Sequence, residues 1–380
     1  MGAVGYVRET DRIVHVAAKV VILATGGASL VYGRTRIPPG VPGDGFGLAL
    51  EAGLKLQDME FVQFYPTVLA EPGMAKMMIG YEHFLAAGAV FRNSHGEDIV
   101  AKYGLPEPEM ITRDQLSIAI GRETYEGRDV DGAILMDASG CRSEFESALY
   151  INSAFVRMVM ERQAKGDDLL ARPIRLAPAN HYYMGGVQAD ADGRTSLEGL
   201  LACGEVVGGT HGANRLQGNS LAEAVVMGFE AGRTAGAMTS RLPDPLVDEV
   251  SIATIAGHLR AGLRRQRGTP IREVLKALRT TMSANVGLVR DERSLLEARA
   301  ALAALGEEIP RTIATAPGER AQLCTLGHIL DTAECIVISA LARQESRGAH
   351  YRLDYPLRDD AAWTKHIACA KRGGQISTYL

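Results

Sequence analysis

The chain of 380 residues carries 41 Lys and Arg against 45 Asp and Glu, for a formal net charge of −4, with 46% hydrophobic and 23% charged residues. That is the composition of a globular protein with room for two or three domains, and without a strongly basic block it argues against a nucleic-acid binder. No basic region followed by an apolar core opens the chain, so no signal peptide is expected, and no apolar run reads as long enough to cross a bilayer.

In chain order, residues 3–8 and 12–16 read as two strands joined by a Glu9-Thr10-Asp11 turn. Residues 19–24 form an apolar strand stopped by Thr25-Gly26-Gly27, typical of a sheet covered on both faces with a ligand near the strand end. A Pro/Gly loop over 37–42 leads to Gly43-Asp44-Gly45, a small-residue helix over 46–52, and a strand over 56–64 ended by Tyr65-Pro66-Thr67. Residues 68–178 mix short strands and helices and read as an inserted domain. Strand–turn–strand chemistry returns over 185–207, and Asn219 opens a helix to about residue 236. Helical periodicity over 252–264, 271–285, 291–305 and 323–343 predicts a domain of three or four helices. A polar tail after Arg347 carries one turn signal at Arg372-Gly373-Gly374. The five cysteines, Cys141, Cys203, Cys324, Cys335 and Cys369, are scattered with no CxxC pair. Neither a disulfide framework nor an iron–sulfur cluster in this chain is expected, and a reducing compartment fits better.

Taken singly the motifs are weak. Ala24-Thr25-Gly26-Gly27 ends a strand in any α/β protein as readily as it closes the backbone on a flavin or its phosphates. Their order says more. Thr25-Gly26-Gly27 and Gly43-Asp44-Gly45 are followed by the stretch from Asp58 to Thr67, by Thr112-Arg113-Asp114, by His181-Tyr182-Tyr183-Met184-Gly185-Gly186, and by Cys203-Gly204-Glu205. Then come the stretch from His211 to Leu221, the stretch from Glu345 to Arg352, and Arg358-Asp359-Asp360. Over essentially the whole chain this series resembles the flavoprotein subunits of succinate dehydrogenase and fumarate reductase, and their relative L-aspartate oxidase.

The resemblance implies an FAD-dependent oxidoreductase acting on CH–CH bonds. The fold expected is an α/β FAD-binding domain, incomplete and split (1–67 and 179–242), with an inserted α+β capping domain (68–178), a C-terminal helical domain (243–346) and a tail (347–380). Family members open with a strand, a GxGxxG turn and a helix for the FAD pyrophosphate. The counterpart of that segment is not found before Gly26, so the chain is expected to start roughly a hundred residues or more into the family pattern. A fragment, a misassigned start and one half of a split protein are the alternatives, the last with a missing N-terminal half as partner.

The resemblance also implies roles. Arg113 matches the proton shuttle, with Asp114 beside it, and Glu82 a proton-relay carboxylate; an Arg–Asp pair opening a surface helix from Gln115 is the plainer reading. His181 and Arg215 match residues that bind the substrate carboxylate, for which Arg is suited by its paired donors. Gly26, Gly27, Asp44, Glu205, Asn219, Ser220 and Leu221 match FAD contacts, the last three at a helix N-terminus; a structural turn Asp is the plainer reading of Asp44. Three of the motifs depart from the pattern. Tyr65 replaces the His of Phe-His-Pro-Thr. Tyr81 and Leu85 replace a substrate-contacting Thr and a relay Arg, with His83 as one substitute for the lost base. Tyr183 replaces a Thr. These changes leave carboxylate anchors at one end and aromatic bulk, with Tyr65 and Tyr81 against the substrate, at the other. A small carboxylate other than plain succinate or fumarate is therefore expected, such as a substituted succinate or a thioester. A conventional succinate dehydrogenase or fumarate reductase subunit, and a truncated non-catalytic remnant or scaffold, are the alternatives. An iron–sulfur subunit is the partner that the resemblance implies. The location expected is the cytoplasm, or the periphery of the cytoplasmic membrane through partner subunits.

Overall fold

Gly2–Val7 (β1) and Arg12–Ala17 (β2) pair antiparallel in a computed structural model that describes residues 2–74, 76–141 and 154–380. The chain divides into two units, Met1–Val62 with Tyr182–Leu380, and Gln63–His181. Residues 142–153 of the expected inserted domain lie outside the described residues. In the first unit β2 leads to Val21–Leu23 (β3), then to Asp44–Glu51 (α1) and Leu56–Gln57 (β4). The strand expected over 56–64 is broken. Asp58 takes a left-handed φ of 59°, and the Phe61 N–H donates to its carbonyl at 3.1 Å. Such a turn interrupts the expected strand without any Gly or Pro to announce it.

The second unit begins within Val62–Leu69 (β5) and continues through Tyr81–Ala86 (α2), Val90–Arg92 (β6), Ile99–Lys102 (α3), Arg113–Tyr125 (α4), Ile134–Asp137 (β7), Ala154–Gln163 (α5) and Ile174–Tyr183 (β8). Its sheet runs β5-β8-β7-β6. Tyr65-Pro66-Thr67 was expected to end a strand but lies inside β5, whose edge position tolerates a proline. Phe91, Ile120, Ile134, Met136, Ile174 and Leu176 are fully buried between this sheet and its helices. The α4 helix starts at Arg113, two residues before the expected Gln115. The Gln115 side chain turns back to accept the Thr112 N–H at 2.9 Å, which caps the first turn and fixes Arg113 within it.

Back in the first unit, Gly186–Val187 (β9), Leu200–Ala202 (β10) and Asn219–Thr239 (α6) follow. The β10 strand runs parallel to β3, with Leu200 opposite Val21 and Ala202 opposite Leu23. Parallel strands are usually covered on both faces. Among the described residues this sheet has two strands, so Ile22 is 39% exposed and the expected full cover of β3 is not met. The α6 helix is as bare. Leu221, Val225 and Phe229 are 76%, 73% and 69% exposed, and only Glu223, Ala231 and Thr234 of its 21 residues are buried.

The rest of the unit is helical. Glu249–Leu263 (α7), Thr269–Pro270 (β11), Ile271–Asn285 (α8), Glu292–Glu308 (α9), Thr312–Ile313 (β12) and Glu319–Ala342 (α10) lead to Asp360–Trp363 (α11) and the hairpin Ala368–Arg372 (β13) with Gln375–Tyr379 (β14). This hairpin adds to β4 and β9 in the sheet β14-β13-β4-β9, so the polar tail is in fact a structural edge. The α10 helix corrects the expectation about apolar runs. An 18-residue window within it has a mean hydropathy of 1.4, long and apolar enough to cross a bilayer by length and composition. It is packed as a core helix, with 67% of that window buried and with α1, α8 and α9 around it. An interior helix is apolar on every side for the same reason a membrane span is.

Candidate active site

In the second unit, Arg113, Tyr65, Tyr81 and His181 gather around one ring. The Arg113 guanidinium lies over Tyr65 with its central carbon 5.1 Å from the ring centroid. Tyr81 and His181 flank the same ring at centroid distances of 6.3 and 5.7 Å. Arg113 Nη1 donates weakly to Gln63 Oε1 at 3.4 Å, while its Nε–H is buried and makes no hydrogen bond among the described residues. The Tyr65 hydroxyl donates to the Ile79 carbonyl at 3.1 Å and Tyr81 to the Ile111 carbonyl at 2.9 Å. Their protons are therefore committed to the backbone, and burial, helped by the charge of Glu82, raises both phenol pKa values. What these tyrosines offer a ligand is ring face. Leu85 is buried in the apolar core beside Tyr81 and Phe84, whereas His83 is exposed on α2.

In the first unit, Arg215 is 4% exposed and lies over the Tyr182 ring, 4.6 Å from guanidinium carbon to centroid. The Tyr182 hydroxyl bonds to Glu223, and His211 Nε2 approaches the same carboxylate at 3.1 Å. Glu205 accepts the Tyr183 N–H at 3.0 Å, and burial pushes its carboxyl up to about 7. Any side chain at Gly27 would collide with the Glu205 carboxylate, so backbone and carboxyl meet without an intervening Cβ. Tyr183 was expected to add bulk against the substrate. Its hydroxyl instead donates to the Ala28 carbonyl at 3.0 Å and its ring packs against Phe46, which places it behind the glycine loop. Asp44 occupies the first turn of α1 after Gly43, where burial raises its carboxyl pKa.

These surroundings fit the expected FAD. The hydroxyls of Thr25 and Ser29 are buried without a hydrogen bond among the described residues, donors that a polyhydroxyl or phosphate ligand would satisfy. The N-terminus of α6 begins after Gly218 in the left-handed region with no side-chain cap, so Asn219, Ser220 and Leu221 sit at an open positive helix end. Sequence reasoning assigned no role to Gln63, Tyr182, His211 or Glu223. The 12-residue spacing from His211 to Glu223 spans a loop and one helical turn, a signal that was present but has no fixed meaning without the fold.

Residues 1–221 match the family described as FAD binding domain, and residues 275–378 match the family described as fumarate reductase flavoprotein C-term. The chain is 36% identical over 365 residues to a fumarate reductase (CoM/CoB) subunit of Methanothermobacter marburgensis, covering 94% of this chain and 64% of that protein. It is 36% identical over 363 residues to an L-aspartate oxidase of Caulobacter vibrioides, covering 94% and 62%. Among solved structures, the FrdA chain of a variant E. coli quinol fumarate reductase is similar with a TM-score of 0.87 at 30% identity, covering 100% of this chain and 68% of that one. The chain thus spans about three fifths of the length of the curated relatives it matches.

Proposed function

The chain belongs to the succinate dehydrogenase/fumarate reductase flavoprotein family, whose cofactor is FAD, and from that premise we propose that it works as an oxidoreductase on a carboxylate substrate. FAD, held by the Gly26-Gly27 loop, Asp44, Glu205 and the N-terminus of α6, would supply the hydride acceptor or donor. Arg215 and His181 hold carboxylate oxygens. Arg113 moves a proton to or from the substrate carbon next to the one that exchanges hydride, and Glu82 is the carboxylate through which that proton is passed on.

The observation that carries this reading is the uncommitted Nε–H of Arg113. A buried donor left unmade costs about 1–3 kcal/mol, a cost that an anionic or polar substrate removes. The surroundings of Arg113 favour a molecule with one carboxylate and a larger or less charged remainder, such as a substituted succinate or a thioester. Its neighbours Tyr65 and Tyr81 offer rings rather than cations, and Leu85 packs into the core. A second reading, plain fumarate or succinate, is favoured by relatives that carry the name fumarate reductase.

The reading includes two partners. The exposed apolar face of α6 and the exposed Ile22 of the parallel pair support an α/β segment, in the same polypeptide or in a second chain, that covers them. The similarity to a quinol fumarate reductase chain supports an iron–sulfur partner for electron transfer. With both, the protein works in the cytoplasm or at the membrane periphery through those partners.

The test is reconstitution with FAD, measurement of flavin bound per chain, and turnover of fumarate, substituted succinates and a succinyl thioester by the wild type and Arg113→Ala. Turnover of a substituted compound above fumarate, lost in Arg113→Ala, is expected. Equal or faster turnover of fumarate would select the second reading, and turnover that survives Arg113→Ala would remove the proton-shuttle role.

A further inference from the structure

The Arg215 loop rests on a turn from the far end of the chain. Residues 347–350 fold back on themselves, Arg347 N–H to His350 carbonyl at 2.8 Å and the reverse at 3.0 Å, around Gly348 at φ 52°. The Ala349 N–H donates to the Ala213 carbonyl at 2.9 Å, two residues before Arg215. A Cβ on Gly348 would overlap that same Ala213 backbone. Ala349 also joins Phe61, Tyr182 and Met184 in a small apolar cluster against which Ala213 packs, so the turn touches the loop that carries Arg215 and shares a cluster with the residue on whose ring Arg215 lies.

The turn is itself anchored by buried charge. Glu345 is fully buried and accepts Arg343 Nη1 at 3.0 Å, Arg347 Nε at 2.7 Å and the Asp359 N–H at 2.9 Å. Arg343 Nε donates to Glu60 at 2.6 Å, and its other nitrogens to the Trp363 and Lys365 carbonyls at 3.1 and 2.9 Å. Arg290 Nη1 donates to the Glu60 carbonyl at 2.8 Å and to His350 Nδ1 at 2.9 Å. Ion pairs this deep add little net stability over apolar packing of the same volume. Their directional bonds fix one arrangement of the segment.

We propose that the 347–350 turn, held by the buried chain from Glu60 through Arg343 to Glu345, is a positioning element that sets where Arg215 presents its guanidinium to the substrate carboxylate, with Gly348 as the contact point. This rests on the carboxylate-binding role of Arg215 proposed above. A positioning residue acts on substrate affinity beyond its effect on folding, and a glycine elsewhere in the tail separates the two. Gly373 has nearly the same φ, 56°, but a Cβ there meets nothing within 4 Å.

The experiment compares wild type, Gly348→Ala, Gly373→Ala and Arg347→Gln as the FAD-supplemented protein. It reads the dissociation constant for malonate by calorimetry and the melting temperature of each. Gly348→Ala is expected to weaken malonate about tenfold, as small misplacements of a binding group do. Gly373→Ala is expected to stay within about twofold, although it too places a side chain at positive φ. If Gly348→Ala does not fold, Arg347→Gln decides, with a weakening of about threefold expected from the loosened turn. Malonate binding equal in the glycine variants, or unchanged in Arg347→Gln where only that variant folds, overturns the proposal. A wild type that binds no malonate removes the assignment of Arg215, and the proposal with it.

Discussion

Tyr182 carries Arg215 on its ring face and bonds through its hydroxyl to Glu223. The two functions are separable. Tyr182→Phe keeps the stack, so the KM for the carboxylate substrate is expected to stay within about twofold while the melting temperature falls with the lost buried hydrogen bond. Tyr182→Leu removes the stack as well, and a cation–π contact worth roughly 1 kcal/mol or more translates to about a five- to tenfold rise in KM. Steady-state kinetics on both variants check this. Equal KM values for Phe and Leu would show that the ring face does not hold Arg215.

Glu205 gives a pH dependence with a definite sign. Its folded pKa is raised by burial to about 7, above the unfolded carboxylate value of about 4.3. Below the unfolded pKa both states hold the proton and no penalty exists. As pH rises toward 7 the unfolded chain ionises first, so stability falls, and above the folded pKa the loss is complete. Glu205→Gln cannot ionise. In the absence of flavin it is therefore expected to match wild type near pH 4 and to exceed it above pH 7 by about 2 kcal/mol, after allowance for partial exposure. Urea denaturation at the two pH values reads this, and a variant less stable than wild type at high pH would mean that the ionised carboxylate is stabilised in the fold.

Leu85 sits where the family resemblance places a relay arginine, yet it is 9% exposed within the core cluster that includes Tyr81 and Phe84. Restoring the arginine alone would bury a guanidinium among apolar side chains. Leu85→Arg is expected to destabilise the protein by about 2–4 kcal/mol and to gain no fumarate turnover. Calorimetric melting and a fumarate assay test the two halves of that statement, and a stable variant with new fumarate activity would show that the site keeps room for the relay.

The parts of the fold that rest on local chemistry were legible in the sequence. Residues 271–285 form the expected helix because Ile271, Val274, Leu275, Leu278 and Met282 repeat at helical spacing and all are buried. The helical character of the C-terminal part followed from the same periodicity, whereas the α/β FAD-binding and capping assignment was what the family resemblance implied. What local pattern could not show is pairing over long distances. Asp58 turns left-handed in a stretch expected to be one strand, and His366 Nδ1 meets its carboxylate at 2.6 Å from 308 residues away. Arg343 is buried against Glu60, 283 residues earlier in the chain, in a stretch whose composition reads as solvent-facing. Tyr183 was placed by its motif, but its side-chain direction depends on the Ala28 carbonyl, 155 residues away.

The α6 face offers the last prediction. Leu221, Val225 and Phe229 recur every fourth residue, each at least 69% exposed, an apolar stripe that water solvates poorly. A charge placed there should cost the chain itself almost nothing, because no packing is lost. Val225→Glu is expected to shift its unfolding free energy by less than about 0.5 kcal/mol and to reduce binding of an apolar fluorescent dye. With the α/β segment proposed to cover this helix supplied in the same polypeptide or as a second chain, the same substitution buries a carboxylate against apolar atoms. Flavin retention should then fall at least tenfold relative to wild type. Retention that ignores the charge would mean that the segment docks elsewhere, and a chain that unfolds on Val225→Glu by itself would mean that the face is already used within it.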